Sequence, residues 1–150
     1  MAKPRWKSHL AFLLASLLLS TEVSAQQRPT EKVTRALNNL AHESVTCAAF
    51  YYVTSIGLMN RGDQKGQDIG AKQKKAGDFL LEAAATMGRV ISQRPEVVAA
   101  RLELEMGSMR KEMRDNFVNY SLLQAKYLQP CADLAGDIAK RVEKIASGEN

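Results

Sequence analysis

The chain has 150 residues, 45% hydrophobic and 25% charged, with a formal net charge of +5. That length suits one domain with a real core, and mild basicity without a clustered stripe of Lys and Arg argues against a nucleic-acid binder. Two cysteines and two histidines leave few ways to build a reactive centre.

The first segment reads as an address rather than as part of the fold. Lys3, Arg5 and Lys7 supply a positive n-region, residues 10–19 are an apolar core, and Val23-Ser24-Ala25 places small residues where signal peptidase cuts. The expectation is a signal peptide over residues 1–25 and a single mature domain over residues 26–150, starting at Gln26. A membrane anchor needs roughly 20 apolar residues, so this core is short for one. Three basic residues and Glu22 leave with the signal, and the formal charge falls from +5 to +3. Trp6 and His9 leave too, and His42 becomes the single mature histidine. No later stretch is apolar enough to span a bilayer, so a periplasmic or secreted protein without a membrane span is expected.

Pro29, Pro95 and Pro130 each suit the first turn of a helix, where no N–H is needed. No window alternates apolar and polar residues as a strand does, so the fold class is predicted to be all-α. The first helix is placed over residues 30–58, capped by Thr30, with Glu31 near the positive end of the dipole. Its inward face is Val33, Leu37, Leu40, Ser44, Cys47, Tyr51, Thr54 and Leu58, in steps of three and four. A loop is expected over residues 60–66, where two glycines stand and no apolar residue does.

The second helix is placed over residues 68–93, with a seam through Ile69, Gln73, Ala76, Leu80, Ala83, Met87 and Val90. Gly70 and Gly77, one heptad apart, invite close approach by a neighbouring helix. The third is placed over residues 95–128, with Val98, Leu102, Met106, Met109, Met113, Phe117, Tyr120, Leu123 and Tyr127 on one face. Pro130 is expected to break that run and start a short last helix carrying Cys131, Leu134, Ile138, Val142 and Ile145 inward. Four amphipathic segments with short connections predict an antiparallel up-down four-helix bundle.

In an oxidising compartment an even cysteine count usually means pairing, and two cysteines allow one connectivity, Cys47–Cys131. A loop of about 85 residues closed this way stabilises by roughly 4 kcal/mol in the chain-entropy model. A mid-helix Cys47 and a Cys131 opening the last helix meet only if the first helix ends near Gly57 or the third stops short.

The remaining candidates are weaker. Met106, Met109 and Met113 share a helical face and could surround a soft ion such as Cu(I), although the same spacing serves a core. His42 lies beside the main seam, and one histidine excludes a two-His zinc site within one chain. Tyr51 and Tyr52 point about 100° apart, so one faces the centre and the other sits at a boundary, where exposure would mark a contact surface. No G-x-S-x-G elbow, P-loop or coupled carboxylate pair is present. The expectation is a non-enzymatic protein without a cofactor that acts through contacts with an unknown protein partner or with itself. The alternative is a small-ligand or Cu(I) carrier using the Met-lined interior.

Overall fold

The computed structural model describes residues 29–149, so the expected signal segment and its cleavage point lie outside the described residues. Four α-helices follow in order: α1 (Glu31–Met59), α2 (Gln64–Val90), α3 (Pro95–Glu112) and α4 (Tyr120–Ser147), the last preceded by a 3₁₀ turn over Phe117–Asn119. The described residues are all-helical, with no strand among them.

Local chemistry sets most of the boundaries. Thr30 caps α1, its hydroxyl oxygen accepting from the Val33 amide at 3.4 Å, and Pro95 opens α3. α2 begins four residues before the expected start. Asp63 is its cap, with Oδ1 accepting from the Gly66 amide at 2.6 Å, so the loop shrinks to a tight turn and Gly66 enters the first helical turn. Gly66 fits there because a Cβ would stand 2.5 Å from the Leu58 carbonyl oxygen.

The largest correction falls between α3 and α4. The run expected over residues 95–128 stops at Glu112. Arg114 and Asp115 both take φ of 52°, and their amides donate back to the carbonyls of Lys111 and Arg110 at 2.8 Å. That is a Schellman-type stop made without glycine. Asn116 Oδ1 then accepts from the Val118 amide at 3.0 Å and opens the 3₁₀ turn. Consequently α4 starts at Tyr120, and Pro130 lies inside it rather than opening a short helix. Lacking an N–H, Pro130 leaves the Lys126 carbonyl without its intrahelical donor.

α1 is the hub and packs on each of the other three helices, most extensively on α2. Most of its expected seam is buried, including Leu37, Leu40, Ser44, Cys47, Tyr51 and Thr54. Ala41, Val45, Ala48, Ala49, Phe50 and Val53 are buried as well, on the other faces. A helix apolar all round is a helix surrounded.

Named contacts give the register along α1. On α2, Gly66 meets Leu58, Gly70 meets Ser55 and Met59, and Gly77 meets Ala48 and Tyr52, so the expected close approach at the glycines is found. On α3, the Arg101 guanidinium donates to Asn38 Oδ1 at 3.3 Å and Glu105 stands 4.0 Å from His42. On α4, the Tyr127 ring stacks 5.9 Å from Phe50 and Arg141 pairs with Glu43 at 3.3 Å.

Between those last two contacts lies the disulfide Cys47–Cys131, with Cα atoms 5.2 Å apart across 84 positions of sequence. Both cysteines sit well inside their helices. They meet at mid-height because α3 stops early and α4 begins eleven residues before Cys131.

Candidate functional site

Around α1, helix α3 packs against both α2 and α4, while one sector over the N-terminal half of α1 stays open between α2 and α4. Val33 and Leu37, one turn apart, form the floor. The α2 wall is Phe79, Ala83, Thr86 and Val90, a stripe at steps of four and three, with Met87 below it. The α4 wall is Ile138, Val142 and Ala146 at steps of four, with Ala139 beside them. Together they enclose a groove of about 710 Å³.

Its lining is hydrocarbon apart from Glu82 and Thr86 on the α2 side. Phe79 is 50% exposed and Val90 52% exposed, at the two ends of the α2 wall. Small residues at Ala83, Ala139 and Ala146 leave the trough open, whereas large ones there would fill it. A surface of this kind takes apolar side chains from a ligand or partner, while acid–base chemistry would have to come from the single carboxylate of Glu82.

The other candidate residues are spread over the molecule. Met109 and Met113 are fully buried in the core on the α3 side, and Met106 packs against it half-buried. No group of three His, Cys, Asp or Glu side chains among the described residues is placed to hold a metal. His42 is more than half exposed, its Nε2 4.0 Å from Glu105 Oε1.

Tyr51 is buried against Phe50, and burial pushes its phenol up. Tyr52 stands at the α1–α2 boundary, half-buried, and donates its hydroxyl to Asp78 Oδ1 at 2.7 Å. Burial first, then the hydrogen bond and the charge of Asp78, push the Tyr52 phenol up to about 12. The Lys74 ammonium, 2.8 Å from Asp78, and the Tyr52 hydroxyl hold that carboxyl below its usual range. The polar end of Tyr52 is therefore committed within the chain, in a link that ties α2 to α1.

Periodicity alone passes over the groove because it counts Ala83, Met87 and Val90 of the α2 wall as seam turned inward and leaves out Phe79 and Thr86. Phe79 shares three consecutive apolar positions with Leu80 and Leu81, more than one helical face accommodates. That triplet was the available signal. Leu80 is buried against α1, and Phe79 is turned to the lip. The chain matches no protein-family model, no curated protein and no solved structure with which it was compared.

Proposed function

We propose that this is an exported, non-enzymatic helical protein of the periplasm or extracellular space that works by holding another protein's amphipathic helix in the α1–α2–α4 groove. The carrying observation is the groove itself, apolar on three sides, open along a helix-wide sector and lipped by half-exposed Phe79 and Val90. From Phe79 to Val90 the wall runs eleven residues, about 16 Å. A partner helix of three turns matches that length and would present apolar residues at i, i+3 or i+4, and i+7.

Export is supported by the disulfide, a bond that persists in oxidising compartments. No helix among the described residues is long and apolar enough to cross a membrane. The α1 registers support an antiparallel up-down bundle, in which α2 and α4 run against α1 and α3 runs with it. Disulfide-clamped α1 and α4 would hold two sides of the groove at a fixed spacing, so little ordering is needed on binding.

A library of displayed helical peptides selected on the purified chain tests this reading. Enriched sequences should share the apolar spacing and lose at least tenfold in affinity to Phe79→Glu, as for a central interface side chain. Absence of enrichment, or binding indifferent to Phe79→Glu, would refute it. Sedimentation of the chain alone gives the remaining outcome: self-association removed by Phe79→Glu would put a second copy in the groove.

A further inference from the structure

The outward face of α4 differs over its first half from a wet helix surface. From Asn116 to Ala132 the exposed positions carry one charge, Lys126, and it already meets Glu112 at 3.1 Å. The exposed face of α2 carries Lys65, Asp68, Lys72, Lys74, Lys75 and Asp78 over a shorter stretch. In place of charge, α4 and the turn before it show Val118, 85% exposed, Leu122, 52% exposed, and Leu128. Apolar side chains exposed where charge is depleted mark the core of a protein contact.

Leu122, Ala125, Gln129, Ala132, Gly136 and Ala139 are all exposed and recur at alternating steps of three and four. They form one seam on the outer side of α4, away from the side on which Leu123, Cys131 and Leu134 pack inward. A Cβ at Gly136 would meet nothing within 4 Å, so the chain itself leaves the seam bare there. Of these residues the groove shares only Ala139. Pro130, though inside α4, stands about 100° round the helix from Gln129 and off the seam.

On one flank of the seam, a heptad apart, stand Lys126, Asp133 and Lys140. These charges select the occupant and its register. A two-fold axis sets each position against another and that other against it. If Leu122 opposes Ala132, the two copies of Lys126 face each other. If Leu122 opposes Ala146, Lys126 faces Lys140 and Asp133 faces its own copy. The register between these opposes Leu122 to Ala139, Ala125 to Gly136 and Gln129 to Ala132. It alone puts Lys126 of each copy beside Asp133 of the other, on both sides of the axis. A parallel pair would set Asp133 against Leu128 and match no charge. Asp133 Oδ1 accepts from Gln129 at 2.8 Å, while Oδ2 makes no hydrogen bond among the described residues and can take a cation from outside.

We propose that α4 pairs with α4 of a second copy of this chain, antiparallel about a two-fold axis level with Pro130 and Cys131, through the seam from Leu122 to Ala139. Leucine lies on alanine at its ends, and the helices come closest where Ala125 meets Gly136. The seam is about 26 Å long, and one helix pair of that length belongs to the small, reversible class of contacts. The contact is separate from the groove and leaves it open to a partner.

The test is sedimentation velocity of the purified mature chain, disulfide intact, from about 20 μM to about 1 mM, the range suited to a contact of this size. A monomer–dimer equilibrium is expected across that range. Leu122→Glu, at an exposed position, should weaken it by about tenfold or more with an unchanged circular dichroism spectrum. Asp133→Lys sets Lys against Lys on both sides of the axis and should weaken it by about fivefold or more. Lys126→Asp/Asp133→Lys restores both opposite pairs in the reversed sense and should return the constant to within about threefold of the original. Phe79→Glu should leave the dimer as it is. The proposal is overturned by a chain that stays monomeric at the highest concentration, by a dimer that Leu122→Glu leaves intact or Phe79→Glu abolishes, or by a double exchange no better than Asp133→Lys alone.

Discussion

Reducing the Cys47–Cys131 bond should lower stability by about 4 kcal/mol at 25 °C, a magnitude set by the 84 positions the bond spans. The cross-link acts mainly on the unfolded chain, which it forbids from separating two distant points. The native state loses little at once, because both sulfurs remain buried between α1 and α4. With a urea slope near 2 kcal/mol/M, the midpoint should fall by about 2 M. The slope itself should rise on reduction, since an uncrosslinked denatured chain exposes more surface.

The loss should also be uneven. α1 packs far more extensively on α2 than on α4, so reduction removes a larger share of what holds α4. Amide exchange around Cys131 and Leu134 should accelerate before exchange at Phe50 or Leu80. The assay is urea unfolding of oxidised and reduced protein, paired with hydrogen exchange. Cys47→Ala/Cys131→Ala serves as the variant control, because Ser would bury two hydroxyls. A stability loss under about 1 kcal/mol would refute the loop-entropy argument. Equal acceleration in all four helices would refute the argument about α4.

Three further outcomes follow from the packing. Phe50→Ala should cost about 3–5 kcal/mol in chemical denaturation, since its fully buried ring stacks 5.3 Å from Tyr51 and 5.9 Å from Tyr127. Because the Tyr52 phenol is raised to about 12 in the folded state, the stability it contributes is present below pH 10 and is lost as pH climbs from 10 through 12. An ultraviolet tyrosinate titration should show late-titrating phenols, one of which disappears in Tyr52→Phe and moves down in Asp78→Asn while that of Tyr51 stays raised. Gly66→Ala and Gly107→Ala should differ in sign by thermal melt. The first puts a methyl 2.5 Å from the Leu58 carbonyl oxygen, while the second meets nothing within 4 Å and should gain about 0.5–1 kcal/mol from helix propensity.

The helical class, the cap at Thr30, the proline opening α3 and the single disulfide connectivity were legible because each rests on local chemistry or on counting. The boundary between α3 and α4 was not. Glycine normally marks a left-handed stop, and here Arg114 and Asp115 take that conformation. Pro130 misled in the opposite sense, since α4 carries it in its interior at the loss of one hydrogen bond. Asp63 shows a third kind of ambiguity, in which a cap five residues ahead of the expected start outcompetes the glycine that follows it.

The residues alone therefore determined that this chain makes amphipathic helices and that its two sulfurs can pair only with each other. Tertiary structure decided which faces those helices spend on one another. The pattern of α1 read as one seam, but the five apolar positions from Cys47 to Tyr51 are buried all round because three helices pack on it. The same packing leaves Phe79 outside and Thr54 without a partner. Periodicity reports that a side chain is apolar and on which side it stands. Only the positions of the other helices determine whether that side is covered, and along the groove between α2 and α4 it is not.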